Sequence, residues 1–306
     1  MDIAKVRLFF QIGYLGDAFH GSQIQPDVKT VQGELIRVFR SLHWLPVDAD
    51  DQLLVLSSRT DAGVHVRLNG GIVDLDAALW KALTPKKMIR AVDDRLDKNL
   101  VFLSVCEVDS DYNPRMALHR VYKYRLEGMD FWKMPALEAF TSWCSIFIGT
   151  YDSRNFARLE EGKNPIRTIM SCTPWVENKR LVGFEIQGEA FLWNQVRRIA
   201  NALFRLSVGE LTADEVIAAR DDPHTPVDFG VAPPEWLVLW GVAWEGFPLP
   251  TGTHTTQFSA PPTGKTAERT RKGRWQQAAQ YEMKSMLYNE WANIGTLPIS
   301  RHRSTK

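Results

Sequence analysis

Cysteine is scarce, with only three in 306 residues: Cys106, Cys144 and Cys172. Their wide spacing supplies neither a disulfide framework nor a CxxC metal clip, so a reducing, cytosolic compartment is expected. Long hydrophobic runs are missing as well. No stretch approaches the roughly 20 apolar residues of a membrane span, and the opening MDIAKVRLFFQIGYLG lacks the apolar core of a signal peptide. With 20 glycines and 16 prolines the chain is not low-complexity. What remains is ordinary globular material, 44% hydrophobic and 24% charged, enough for one large or two medium domains of about 150 residues each.

Nor is there an excess of one charge, the net value being +1. That figure conceals an asymmetry. Residues 251–306 hold nine Lys or Arg against Glu268, Glu282 and Glu290, so this segment carries +6 and residues 1–250 carry −5. A polyanion bound by the larger part must therefore meet a locally basic cleft rather than a basic molecule.

Leu8, Phe10, Ile12 and Tyr14 alternate with Arg7, Phe9, Gln11 and Gly13, which predicts a half-buried strand. Thr30 is placed to cap a helix whose Val31, Leu35, Val38, Phe39 and Leu42 recur at three-to-four spacing. The run Leu53 to Leu56 predicts a strand ending in the loop SSRTDAGVH. Strands over 72–75 and 100–105 flank a helix containing Met88, Ile89 and Val92. The pattern then restarts, with a strand from Arg120 to Leu126, helical sequence over 137–147, and a strand through Val182, Phe184 and Ile186. A helix striped by Leu192, Val196, Ile199, Leu203 and Leu206 follows, then a strand from Trp236 to Val242. The fold class is α+β in two similar halves, 1–110 and 111–250. Residues 251–306 form a basic linker and a terminal helix, where Trp275, Ala279, Met283, Leu287 and Trp291 recur every fourth residue and call for a docking surface.

The segment Arg59-Thr60-Asp61-Ala62-Gly63-Val64-His65 sets a carboxylate on a Gly-containing turn beside an arginine. An exposed carboxylate kept ionised by an opposite charge is one reading, and an Asp that merely caps a turn is the plainer one. Asp61 and His65 alone are too few ligands to define a metal site.

The same seven residues resemble the RTDAGVH motif of the TruA family of tRNA pseudouridine synthases. The resemblance is supported by Tyr14-x-Gly16-x-x-Phe19-x-Gly21-x-Gln23 and Thr30-Val31-Gln32 upstream, Arg120-Val121-Tyr122-Lys123-Tyr124 in mid-chain, and Phe191-Leu192-Trp193-Asn194-Gln195-Val196-Arg197 downstream. It covers residues 5–245 and is closer to archaeal and eukaryotic members, but does not extend to the basic tail. It implies antiparallel sheets joined around a cleft and a uridine-to-pseudouridine isomerisation in tRNA, in the anticodon arm around tRNA positions 38–40. It also implies a possible homodimer.

By this resemblance Asp61 acts on the ribose C1′, Tyr122 stacks on the flipped base and assists proton removal from C5, and Arg197 pairs with the catalytic aspartate. Arg59 contacts the target nucleotide, and Gln23 and Arg115 are further substrate contacts. His65 is either structural or an RNA contact. An isomerisation that exchanges an N1–C1′ bond for a C5–C1′ bond needs no redox or metal cofactor. The tail is expected to add RNA contacts while leaving the chemistry intact. A non-catalytic RNA-binding protein on the same scaffold, and a hydrolase pairing Asp61 with a second carboxylate, are the alternatives. The chain departs from the bacterial pattern at Ser22, where Trp is usual, at 93–97, and at Tyr112-Asn113-Pro114-Arg115, where an aromatic and an arginine are kept but a histidine is lost.

Overall fold

The computed structural model describes residues 4–46, 53–252, 257–262 and 268–294. It is α+β, as expected, and the chain divides into two compact units. The first comprises Met1–Leu118, Gly241–Thr253 and Leu287–Lys306, and the second His119–Trp240 and His254–Met286.

In the first unit, β1 (Lys5–Tyr14) is flanked by β3 (His65–Asp76) and β4 (Leu100–Val108), all antiparallel, with the short β2 (Leu54–Leu56) on the far side of β3. The helices are α1 (Val31–Ser41), α2 (Ala77–Ala82) and α3 (Pro85–Asp93). Thr30 caps α1 as its sequence predicts, the side chain accepting from Gly33 N at 3.2 Å.

β1 is not half-buried, because both of its faces are covered. Phe10 stacks on Phe102 at 5.3 Å, with Phe39 of α1 behind it, while Phe9 packs against Tyr112, Trp244 and Phe247 on the other side. β3 begins at His65, seven residues before the predicted strand. Its first half, His-Val-Arg-Leu-Asn, buries polar side chains that conceal the strand pattern.

The second unit contains β5 (His119–Tyr124), α4 (Leu137–Ser145), β6 (Gly149–Asp152), β7 (Ile166–Glu177), β8 (Arg180–Gly188), α5 (Gln195–Val208) and α6 (Ala213–Asp221). Its strands run antiparallel in the order β5, β8, β7, β6. Asn178 and Lys179, both at positive φ (50° and 63°), turn β7 into β8 as a tight hairpin requires. β6 and β7 were not legible in the sequence. The buried Ile169, Cys172 and Trp175 of β7 lie three residues apart, where a regular half-buried strand buries every second one, and a register shift falls between Ile169 and Ser171. β9 (Leu237–Ala243) starts in the second unit and ends in the first.

The terminal segment is dominated by one helix, whose stripe calls for a docking surface. α7 (Glu268–Asn293) is a 26-residue helix, and the every-fourth stripe is its buried face: Trp275, Ala279, Met283, Leu287 and Trp291 are all at most 7% exposed. Through Met286 the helix belongs to the second unit, and from Leu287 to the first. In the second unit the fully buried Arg125 donates from Nη1 to Ala279 O at 2.9 Å, from Nε to Glu127 at 2.8 Å and from Nη2 to Glu282 at 2.9 Å. Arg180 completes this network by pairing with Glu127. Two of the three acids in the segment, Glu282 and Glu290, thus serve the interior, and removing residues 251–306 would strip both from buried arginines. Deletion is therefore a disruption of the fold, not a clean probe of RNA affinity. Lys265, Arg301, Arg303 and Lys306 lie outside the described residues.

Candidate active site

The loop bearing Asp61 springs from β2 and enters β3, and it is tied at several points. Ser57 N donates to Gly70 O at 2.8 Å. Asn69 clasps Ser58 in both directions, accepting from Ser58 N at 3.2 Å and donating to Ser58 O at 2.8 Å. Thr60 N donates to the Ser22 hydroxyl at 2.8 Å, and the Thr60 hydroxyl meets Tyr14 OH at 2.8 Å. Gly63 is left-handed at φ 84°, and Val64 N closes the turn onto Asp61 O at 3.2 Å. Gly63 N donates to Gly16 O, and Gly16 N in turn donates to His65 Nδ1 at 3.0 Å. A Cβ on Gly16 would stand 2.1 Å from Val64 O, so the first sequence block needs glycine there to let the loop approach. Asp61 is half-buried at the head of this turn and Arg59 is exposed.

His65 is 1% exposed with its ring engaged by Gly16, which favours the structural of its two readings over an RNA contact. Gln23 is exposed immediately after the Ser22 anchor. Arg115 is exposed beside Pro114, whose carbonyl accepts from the Ser57 hydroxyl at 2.6 Å and from Trp244 Nε1 at 2.7 Å. The Tyr112–Arg115 segment is thereby fastened to the root of the Asp61 loop, which no spacing in the sequence revealed. Arg59, Asp61, His65, Gln23 and Arg115 all lie in the first unit.

Tyr122 and Arg197 belong to the second. Tyr122 sits on β5 opposite Ile186, 8% exposed, with its ring edge-on to Phe191 at 5.2 Å. Tyr124, two residues on, is fully buried and donates to Pro233 O at 2.9 Å, so the core role falls to it. Arg197, on the first turn of α5, is half-buried. It donates from Nε to Ala232 O at 2.8 Å and from Nη1 to Asn194 Oδ1 at 3.2 Å. Asn194 is itself left-handed at φ 61°, turning the Phe191–Asn194 segment sharply into the helix. Arg120 was not singled out by the sequence: it is buried, pairs with Glu189 O, and burial lowers its pKa against the opposing pull of the neighbouring Tyr122 oxygen.

Residues 144–245 match the family model described as tRNA pseudouridine synthase. Curated relatives named tRNA pseudouridine synthase A align far beyond that stretch. The Thermococcus sibiricus protein is 34% identical over 247 residues, 79% of this chain and 86% of its own length. Those of Thermococcus onnurineus and Methanoculleus marisnigri are 35% and 32% identical, covering 79% and 81% of this chain and 86% and 88% of their own lengths. The chain belongs to the tRNA pseudouridine synthase A family.

Membership in that family accounts for the four sequence blocks. All four, containing Gly16, Asp61 and Gly63, Tyr122, and Asn194 and Arg197, hold turns and side chains described above. Among the described residues no helix is long and apolar enough to cross a membrane.

Proposed function

We propose that this chain isomerises uridine to pseudouridine in tRNA, with Asp61 as the acting carboxylate, Tyr122 as the ring against the base, and Arg197 as the guanidinium that orients the carboxylate. The observation that carries the reading is the Asp61 loop. A carboxylate presented on a turn and tied through Ser22, Gly16, Tyr14 and Asn69 is positioned before substrate arrives, which is where a positioned nucleophile gains most of its rate. A planar guanidinium can hold such a carboxylate by two parallel hydrogen bonds, so lysine would be a poor substitute for Arg197. The exposed Arg59, Gln23 and Arg115 carry the donor groups that phosphates and bases accept from, and such contacts would offset the few kcal/mol that flipping a nucleotide costs.

The target uridine lies in the anticodon arm, around tRNA positions 38–40, and the site of action is the cytoplasm. The resemblance further implies a pair of copies, for which sedimentation is the test.

The reaction is checked with tRNA tritiated at uridine C5. Tritium release with intact RNA is expected. Free uracil would mean a hydrolase, and binding without release would mean an RNA-binding protein. Asp61→Asn is expected to abolish release and keep tRNA affinity. Mapping of the modified positions in wild-type product tests the anticodon-arm assignment.

A further inference from the structure

Glu290 and Arg67 form an ion pair at 2.7 Å, with side chains 1% and 0% exposed. Arg67 also donates from Nη2 to Pro250 O at 3.2 Å. The next residue on the helix, Trp291, donates from Nε1 to Arg67 O at 2.9 Å, gripping the strand backbone itself. The indole occupies the space over Gly13 of β1, where a Cβ would fall 2.2 Å from Nε1. The last turns of α7 are therefore seated on β1 and β3 close to where both strands meet the Asp61 loop.

A buried ion pair is a poor stabiliser. Desolvating two charges costs about as much as their attraction returns, and apolar residues of the same size usually do as well or better. What the pair supplies is direction, because the guanidinium fork accepts a carboxylate in few orientations. Arg67 lies two residues past His65, whose Nδ1 receives Gly16 N, and Gly16 O receives Gly63 N inside the loop. One strand and two hydrogen bonds thus connect Arg67 to the turn that carries Asp61.

We propose that Glu290 and Trp291 are positioning residues for catalysis: the terminal helix holds β3, through Arg67, in the place that aims the Asp61 turn. The inference rests on Asp61 being the acting carboxylate. It gives the basic C-terminal segment a part in the chemical step through its acidic and aromatic members.

The test uses full-length protein with Glu290→Gln, Trp291→Phe, which keeps an aromatic ring but loses the N–H donor and the pyrrole half of the indole, and the double change Arg67→Met with Glu290→Met. For each, thermal stability, tRNA Kd, the single-turnover rate of tritium release at saturating enzyme, and hydrogen exchange of the Gly63 and Val64 amides are measured. Glu290→Gln and Trp291→Phe are expected to lower the rate by about tenfold or more, to leave Kd within about twofold, and to speed exchange at the two amides. The double variant should recover stability without recovering rate. Single variants that lose stability but keep the wild-type rate per folded molecule overturn the proposal, as does a double variant that recovers both. If Glu290→Gln fails to fold, Trp291→Phe and the double variant decide. A wild-type protein that binds tRNA and releases no tritium would overturn the functional reading, and this inference with it, whereas wild-type release matched by the variants overturns the inference alone.

Discussion

Ser22 and Thr60 hold each other in both directions: Thr60 N donates to the Ser22 hydroxyl at 2.8 Å, and Ser22 N donates to Thr60 O at 3.1 Å. The contact joins the loop after β1 to the residue before Asp61, at the one position of the first block where the bacterial pattern has tryptophan. Ser22 is 1% exposed, so its small size and its hydroxyl are both used. Ser22→Ala would leave the Thr60 amide short of an acceptor, at about 1–3 kcal/mol. A rate of tritium release reduced by about tenfold, with tRNA affinity preserved, is expected. An unchanged rate would show that the remaining anchors suffice.

Glu34 of α1 is almost buried. It receives Arg37 Nε and Nη2 at 2.8 and 2.6 Å and Asp97 N at 3.0 Å. The Arg37 hydrogen bonds hold its carboxyl below the ordinary glutamate value, against the opposing effect of burial. Folded, Glu34 gives up its proton more readily than unfolded, so its contribution is complete above the ordinary glutamate range and is lost as pH falls through its depressed folded value. Glu34→Gln should cost about 1–2 kcal/mol at neutral pH and flatten part of the acid limb of the stability curve. Urea melts between about pH 3 and pH 7 would show this, and parallel wild-type and variant curves would contradict it.

Arg125 in the second unit is fully buried among Glu127, Glu282 and the ring of Phe258, whose centroid lies 3.9 Å from its guanidinium carbon. Arg125→Leu leaves Glu127 buried with half of its positive partners gone. Destabilisation of about 3–5 kcal/mol is expected, visible as a large fall in the urea midpoint. Removal of Glu127 as well, by Glu127→Leu, should recover part of it, because the buried carboxylate left with Arg180 alone, and not the lost attraction, carries most of the cost.

What the sequence disclosed follows from where the folding information is local. α1 was legible because its cap and its apolar stripe are both written within a dozen residues, and α7 because its stripe recurs every fourth position over five apolar residues. β7 was not, since its buried Ile169, Cys172 and Trp175 recur at every third position, a period that does not spell a strand. The first half of β3 was hidden for a related reason. Arg67 and Asn69 read as surface residues, and Arg67 is buried against Glu290, 223 positions away.

The site divides the same way. The turn at Asp61 was visible through Gly63, whereas its anchors Ser22, Ser57 and Asn69 are ordinary polar residues until tertiary hydrogen bonds single them out. His65 was ambiguous for as long as its burial was unknown.

The first unit is assembled from three separated stretches, the last beginning at Leu287. Domains emerging from the ribosome generally settle in the order of their synthesis, yet here an early strand carries a cation whose counter-ion is translated more than two hundred residues later. Burial of Arg67 with its counter-ion must therefore wait until Glu290 has been made. A chain ending before Glu290 would leave the Arg67 guanidinium without the carboxylate that accompanies it into the interior.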